Sequence, residues 1–340
     1  MTVRALVVDD SPTMRAIVAH TLSQDTEIEV VGTAENPLRA REMIKALDPD
    51  VITLDIEMPG MNGLDFLEKL MRLRPMPVVM LSTLTTRGAE ATLRALELGA
   101  FDCLAKPSDG LGKVGDYRSQ LVGTVKAAAR SPRRRREPAR PVAASAGQSF
   151  RSDALIAVGA STGGVEALIE LLSGFPENCP PTVIVQHMPP TFTATFAARL
   201  DRLSKPAVTE ARHGAPLLPG HVYLAPGGEQ HLEVGGTGPW RCRLIEGDRM
   251  SGHRPSVDRL FFSVAKAAGD SAVGAILTGM GGDGAEGLKA MRAAGAMTLG
   301  QDQATCTVYG MPAVAFQIGA VAHQLPLPRI AARLLSECRA

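Results

Sequence analysis

Short apolar runs alternate with helical patterns along the first 129 residues. Ser11-Pro12 and Asn36-Pro37 are typical helix-start signals for the first two helices. This alternation predicts an α/β domain, with helices on both faces of a doubly wound parallel sheet. The five predicted strands are Ala5–Val8, Ile28–Val31, Val51–Leu54, Val78–Leu81 and Phe101–Ala105.

The same alternation returns after residue 153. Helical patterns follow at 165–172 and 285–294, each directly after a glycine-rich turn. We therefore predict a second parallel α/β domain over 153–340. Its clearest strands are Leu155–Val158, Thr182–Val185 and Ala272–Leu277.

Residues 130–152 separate the two domains and are rich in arginine, proline and alanine. The prolines prevent a helix, and five arginines between 133 and 140 face one glutamate, Glu137. A nucleic-acid tail is an alternative, but interleaved aromatic residues and a helix-turn-helix pattern are missing. We expect a solvated linker that joins a domain at 1–129 to a domain at 153–340.

The composition is that of an ordinary globular protein. The chain has 340 residues, 45% hydrophobic residues and a net charge of +1, which excludes a polycation. No apolar run approaches the ~20 residues of a membrane-spanning helix, so we expect a cytoplasmic protein without membrane insertion. Five scattered cysteines predict reduced thiols, and we expect Cys103 and Cys306 to be buried.

Polar residues collect at the predicted strand ends of the first domain. Carboxylates there suit Mg²⁺, which prefers oxygen ligands, and Asp55 is placed to become an aspartyl phosphate. The lysine and the serine hydroxyl would bind the new phosphoryl oxygens. The predicted metal ligands are Asp9, Asp10, Asp55 and the carbonyl of Glu57, and the predicted switch residues are Ser82 and Lys106.

A candidate nucleophile follows the first strand of the second domain. Residues 159–163 read Gly-Ala-Ser-Thr-Gly, which matches the G-x-S-x-G turn that presents Ser161 at a strand end. A capping serine and a glycine loop that binds phosphate are alternatives for the same residues.

Two further residues follow strands that should end at the same edge. His187 follows 182–185, and Asp283 lies in the glycine loop after 272–277. We predict that Ser161 attacks, His187 transfers the proton and Asp283 orients His187. Candidate oxyanion donors are the backbone N–H groups of Thr162, Gly163, Met280, Gly281 and Gly282.

Two other functions fit parts of this pattern. An α/β-hydrolase would order the residues as Ser161, Asp283 and His323, although about 190 residues is short for that fold and no His-Gly-Gly-Gly motif is present. A regulatory protein without enzymatic activity would instead use the glycine loops of the second domain to bind a ligand.

The first domain resembles two-component receiver domains, which have a flavodoxin-like fold. The similarity lies in Val-Val-Asp-Asp-Ser at 7–11, Leu-Asp-Ile-Glu-Met-Pro-Gly at 54–60 and Ala-Lys-Pro at 105–107. It implies that a histidine kinase phosphorylates Asp55. Cys103 departs from the family, which often has an aromatic residue three positions before the lysine.

The second domain resembles the catalytic domain of the chemotaxis protein-glutamate methylesterases, the CheB family, a Rossmann-like serine hydrolase domain. The similarity lies in Gly-Ala-Ser-Thr-Gly-Gly at 159–164, Gln-His-Met-Pro at 186–189, His-Arg-Pro-Ser-Val-Asp at 253–258 and Leu-Thr-Gly-Met-Gly-Gly-Asp-Gly at 277–284. His253 and Arg254 are candidate substrate-positioning residues.

This resemblance implies hydrolysis of glutamate methyl esters on methyl-accepting chemoreceptors, and often deamidation of receptor glutamines. It also implies that the unphosphorylated receiver covers the esterase cleft, and that phosphorylation of Asp55 relieves this. We expect no cofactor for the esterase and no nucleic-acid partner.

Overall fold

The computed structural model describes residues 2–83, 85–107, 114–131, 149–236 and 239–340. The chain divides into two compact units, Met1–Glu137 and Pro138–Ala340. Most of the predicted linker, residues 132–148, lies outside the described residues. Within the described ranges, no helix has both the length and the apolar content needed to cross a bilayer.

The first unit contains a five-stranded parallel sheet in the order β2-β1-β3-β4-β5, and it confirms all five predicted strands. The predicted helix starts are also correct, because the side chains of Ser11 and Asn36 cap the first two helices. The strands are β1 (Val3–Val8), β2 (Ile28–Ala34), β3 (Val51–Asp55), β4 (Val78–Ser82) and β5 (Asp102–Ala105). The helices are α1 (Pro12–Ser23), α2 (Pro37–Leu47), α3 (Gly63–Leu73), α4 (Thr86–Glu97) and α5 (Val114–Arg130).

The second unit contains a seven-stranded sheet, all of whose pairings are parallel, in the order β14-β13-β12-β6-β7-β9-β8. Strands β10 and β11 form a separate antiparallel pair. The strands are β6 (Leu155–Ala160), β7 (Thr182–Gln186), β8 (Ala207–Glu210), β9 (His221–Leu224), β10 (Gln230–Gly235), β11 (Arg241–Glu246), β12 (Ala272–Ile276), β13 (Met297–Gln301) and β14 (His323–Leu325).

The helices of the second unit alternate with these strands along the chain, and the last helix follows β14. They are α6 (Gly164–Ser173), α7 (Pro190–Leu203), α8 (Val257–Ala268), α9 (Ala285–Ala293), α10 (Met311–Gln317) and α11 (Leu327–Glu337). Strands β6, β7 and β12 are buried along their whole length, which explains their continuous apolar sequences. The chain leaves β6 to one side for β7 and later returns to the other side as β12, so β6 marks the point where ligands bind in such sheets.

The five cysteines form no disulfide among the described residues. The prediction that Cys103 and Cys306 are buried was wrong, because both are partly exposed. Cys103 lies on β5, an edge strand, and Cys306 lies in the turn after β13, where little covers them. The buried thiols are Cys179, Cys242 and Cys338.

Candidate active site

Ser161 and His187 leave the sheet side by side. Ala160 and Gln186 are paired at the ends of β6 and β7, and the next residue of each strand is Ser161 or His187. The backbone N–H of His187 donates to the Ala160 carbonyl over 3.1 Å. Both candidate residues therefore lie at the carboxyl edge of the sheet, as the sequence predicted.

Asp283 reaches the same edge from the other side of β6. Its Oδ2 lies 2.8 Å from Nε2 of His187, and both side chains are buried. The Ser161 N–H donates to the Thr278 carbonyl over 3.0 Å, which anchors the loop before Asp283 to the serine turn. The structure thus brings together all three residues that the sequence singled out.

The Asp283 carboxylate is held by the amino-terminal end of α8. It accepts the backbone N–H groups of Val257, over 2.7 Å, and Asp258, over 3.0 Å. The Ser256 hydroxyl donates to Oδ1 over 2.7 Å. A helix amino terminus favours a negative charge, so α8 holds this carboxylate in its ionised form.

These contacts set the ionisation of Asp283. Its burial disfavours the charged form, but the hydrogen bond and charge of His187, with the donors from Asp258 and Ser256, outweigh burial and hold the pKa of Asp283 below its ordinary value. An ionised Asp283 accepts a hydrogen bond from a protonated Nε2. The lone pair of the His187 ring then lies on Nδ1.

Nδ1 of His187 is buried and has no hydrogen-bond partner among the described residues. A hydrogen bond from the Ser161 hydroxyl to Nδ1 is therefore not made in this structure. Such contacts are often long in enzymes without substrate and tighten when substrate binds. Because its lone pair is free, Nδ1 rather than Nε2 is the nitrogen that could act as a base.

The Gly279 loop packs directly against Ser161. A Cβ at Gly279 would lie 2.9 Å from Cβ of Ser161, so only glycine allows this approach. Met280 and Gly281 follow in the loop; Met280 is half-buried and Gly281 is exposed with a φ of +84°. The first of their backbone N–H groups, that of Met280, therefore lies one residue after the glycine that contacts Ser161.

Of the other candidate oxyanion residues, Thr162 and Gly163 lie in the serine turn and Gly282 lies directly before Asp283. Thr162 is buried, and its carbonyl accepts the hydroxyl of Thr278 over 2.9 Å. Gly163 has a φ of +77°, and a Cβ there would lie 2.4 Å from Thr307. A Cβ at Gly282 would lie 3.2 Å from the side chain of Val314.

His253 and Arg254 occupy different positions. The ring of His253 stacks on His187, with centroids 3.7 Å apart and an interplanar angle of 7°. The guanidinium of Arg254 donates to the carbonyls of Gly228, over 2.8 Å, and Gly247, over 2.7 Å, and it pairs with Glu229. Arg254 thus connects two loops, whereas His253 contacts the site itself.

Several residues that support the site were not predicted from the sequence. The His231 ring accepts the N–H of Ser256 on Nδ1, over 3.2 Å, and its Nε2 lies 2.9 Å from the Asp248 carbonyl. The Gln186 amide donates to the carbonyl of Ser161 over 2.9 Å. Gly310 lies under the glycine loop, where a Cβ would come within 3.2 Å of Met280 Cα. Only the position of Gln186, directly before His187, gave a signal in the sequence.

His323, the alternative base, lies away from this group. It is exposed at the start of β14, the edge strand, and three strand spacings separate β14 from β6. At about 4.8 Å a spacing, this places His323 about 14 Å across the sheet from the strand that precedes Ser161. The order expected of an α/β-hydrolase is therefore not supported by the geometry.

The predicted phosphorylation site lies at the carboxyl edge of the first sheet. The ammonium of Lys106 contacts Asp9 over 2.9 Å and Asp55 over 2.8 Å, and both carboxylates are buried. Ser82 is buried at the end of β4, next to the strand that carries Asp55. The Glu57 N–H donates to Oδ1 of Asp55 over 3.3 Å.

Burial raises the pKa of Asp55 to about 6, and the charge of Asp9 contributes, although Lys106 opposes the shift. The pKa of Lys106 is raised: burial favours its neutral form, but its hydrogen bonds to Asp55 and Asp9 outweigh this. One ammonium therefore faces more negative charge than it neutralises.

This donor set fits Mg²⁺. Oxygens of Asp9, Asp10 and Asp55 lie within 4.8 Å of one another, and Asp10 is the exposed member. Carboxylate oxygens around a partly open position suit a hard divalent cation that keeps several waters. The first unit thus contains a largely buried acidic cluster that could hold a metal ion.

The comparisons with known proteins agree with this geometry. The CheB methylesterase family model matches residues 156–334, and the response regulator receiver domain model matches residues 5–111. A protein from Caulobacter vibrioides named protein-glutamate methylesterase/protein-glutamine glutaminase 1 is 61% identical over 335 residues, covering 98% of this chain and 97% of that protein.

A protein-glutamate methylesterase/protein-glutamine glutaminase from Rhizobium etli is 60% identical over 335 residues, which cover 98% of this chain and 95% of that protein. The crystal structure of the Thermotoga maritima CheB methylesterase catalytic domain is similar with 36% identity and a TM-score of 0.53, over 55% of this chain and 99% of that chain. The resemblance found in the sequence is confirmed, and the chain belongs to the CheB methylesterase family, with a response regulator receiver domain ahead of the methylesterase domain.

Proposed function

We propose that this protein hydrolyses glutamate methyl esters on methyl-accepting chemoreceptors, deamidates receptor glutamines, and acts in adaptation of a chemotaxis-type pathway. One observation carries the proposal: the 2.8 Å contact between His187 Nε2 and Asp283 Oδ2, at the sheet edge where Ser161 directly follows the adjacent strand β6. The names of the relatives supply the substrate class.

In this reaction Ser161 Oγ attacks the ester carbonyl carbon while Nδ1 of His187 accepts the hydroxyl proton. The resulting oxyanion is bound by backbone N–H groups of the serine turn and the Met280 loop. Collapse of the intermediate expels methoxide, which takes the proton from His187 and leaves as methanol. With a glutamine substrate the leaving group is ammonia.

The second half of the reaction restores the serine. A water molecule gives a proton to His187 Nδ1 and attacks the glutamyl ester of Ser161. The products are a receptor glutamate and the free serine hydroxyl. In both halves His187 is transiently a cation, and the ionised Asp283 stabilises this cation.

We propose that phosphorylation of Asp55 by a histidine kinase raises this activity. Asp9, Asp10, Asp55 and the Glu57 carbonyl would hold Mg²⁺, which neutralises phosphoryl charge when it is bound. Lys106 and Ser82 lie at neighbouring strand ends and would bind phosphoryl oxygens.

The test is methanol release from membranes that contain methylated chemoreceptors. The full chain should release methanol, a small phosphodonor with Mg²⁺ should increase the rate, and Asp55→Asn should abolish only the increase. Ser161→Ala should release no more methanol than membranes alone. Release by Ser161→Ala at the wild-type rate would refute the mechanism, and an equal stimulation of Asp55→Asn would refute the regulation.

A further inference from the structure

The ring of His253 covers one face of the His187 imidazole. The two rings are nearly parallel, at an angle of 7°, and their centroids are 3.7 Å apart. This distance is a full van der Waals contact over the whole face, so the ring of His187 cannot tilt toward that side without displacing His253.

His253 is carried by a tight turn. Met250 and His253 exchange backbone hydrogen bonds of 3.1 and 3.0 Å, and between them Ser251 and Gly252 both adopt positive φ values. A serine in the left-handed region is uncommon and is maintained only where its surroundings hold it.

The turn is held in place by its surroundings. The Ser251 hydroxyl donates to Asp258 Oδ2 over 2.9 Å. Asp258 belongs to the first turn of α8, and its Oδ1 accepts the N–H of Gly287 over 2.7 Å, which ties it to α9. The helix whose amino terminus holds Asp283 therefore also holds the turn that carries His253.

The ring of His187 makes one hydrogen bond among the described residues. Nε2 is bonded to Asp283, but Nδ1 has no hydrogen-bond partner among the described residues. One hydrogen bond to Nε2 does not by itself fix the rotation of the ring about its Cβ–Cγ bond. A flat surface against one face removes this rotation and keeps Nδ1 in one direction.

His253 can lie beside a transient cation because it stays neutral. Burial lowers the pKa of His253 to about 4, and the adjacent charge of His187 acts in the same direction. Asp283 opposes this shift, and Arg249 adds to it. A neutral ring therefore packs against the His187 cation without repelling it.

We propose that His253 is a positioning residue, which fixes the plane of the His187 ring so that Nδ1 points to the reacting serine. This inference rests on the proposed function for the role of Nδ1, but the contact itself does not. A flat face is all that this role needs, so phenylalanine should replace His253 and alanine should not.

The experiment compares His253→Ala with His253→Phe in the full chain. His221→Ala is the matched control, because His221 also stacks on a ring of the same unit, that of Tyr223. Methanol release gives kcat and KM, and ¹⁵N–¹H spectra of the imidazoles report which nitrogen of His187 carries the proton. Thermal unfolding establishes that each variant is folded.

We expect His253→Ala to lower kcat by about 10-fold to 100-fold, the effect of a reacting group displaced by about 1 Å, with KM changed less than twofold. The spectra should change from the Nε2–H form to a mixture of both forms. His253→Phe should keep kcat within about threefold of wild type and keep the Nε2–H form, as should His221→Ala.

The outcomes separate this inference from the proposed function. A change of the His187 proton position in His253→Ala, in a protein that releases no methanol, would support positioning and refute the esterase. Normal kcat and an unchanged spectrum in His253→Ala would refute positioning and leave the esterase intact. Equal losses in the phenylalanine and alanine variants would also refute it, since the nitrogens rather than the flat face would then be required.

Discussion

Substitution of Ser256 by alanine tests how α8 holds the catalytic carboxylate. The Ser256 hydroxyl donates to Asp283 Oδ1 over 2.7 Å in a fully buried position, and it also caps α8 by accepting the N–H of Arg259. Alanine removes both interactions and leaves the two backbone donors to Asp283 in place.

The magnitude follows from the two interactions. A hydrogen bond to a charged group contributes about 1.5–3 kcal/mol, and loss of a helix cap costs about 1 kcal/mol. We therefore expect Ser256→Ala to lower the free energy of unfolding of the second unit by about 2.5–4 kcal/mol. The kcat should fall less than the ~10⁴-fold known for removal of the charge of a triad aspartate.

The pH dependence gives a second readout. The pKa of Asp283 is held below its ordinary value, so its contribution to stability is present above that ordinary value and is lost as pH falls through the folded-state pKa. Without the Ser256 donor the folded-state pKa rises. The acid loss of stability, and the acid limb of the methanol-release profile, should therefore begin at a higher pH than in wild type.

Urea unfolding monitored by tryptophan fluorescence measures this unit alone. Trp240 is the single tryptophan of the chain, and its indole N–H lies 3.3 Å from the Ala267 carbonyl on α8. Ser263→Ala is the matched control. It removes a serine of the same helix that accepts the Val234 N–H and does not contact Asp283.

We expect Ser263→Ala to cost about 1 kcal/mol and to leave the pH profile unchanged. The reasoning would be refuted if Ser256→Ala unfolded at the wild-type urea concentration, or if both serine variants gave the same acid limb.

Three further predictions concern other parts of the two sites. Gly310→Ala places a Cβ 2.6 Å from the Gly279 carbonyl oxygen, so it should displace the glycine loop and lower kcat with little change in KM, measured by methanol release. Thr278→Val removes a buried hydroxyl that donates to Thr162 and accepts the N–H of Val308; we expect it to cost about 1–3 kcal/mol in urea unfolding, because the carbonyl and the half-buried N–H both lose this partner. Chelation of divalent cations should abolish stimulation by a phosphodonor and leave basal methanol release unchanged; loss of basal release would contradict a metal-independent esterase.

The sequence predicted those parts of the fold that depend on continuous burial. Strands β6, β7 and β12 are apolar throughout because both faces of the sheet are covered, and their carboxyl ends then place Ser161, His187 and Asp283 at one edge. The strands at the border of the sheet and the β10–β11 pair were not predicted, because their sequences mix polar and apolar residues.

Contacts between distant side chains could not be predicted in the same way. Ser256 contacts Asp283 across 27 positions, and only the docking of α8 against the sheet brings them together. The stacking of His253 on His187 depends on the turn at 250–253, whose shape comes from a positive φ at Ser251 that no local pattern indicates. The sequence therefore identified the reacting groups but not the side chains that hold them.

The proposed mechanism depends most on which imidazole acts as the base. We would measure kcat/KM for methanol release from methylated receptors with His187→Gln and His323→Gln beside the wild-type protein. We predict a loss of at least about 10³-fold for His187→Gln and a value within about twofold of wild type for His323→Gln. Near-normal activity of His187→Gln with a large loss in His323→Gln would contradict the account.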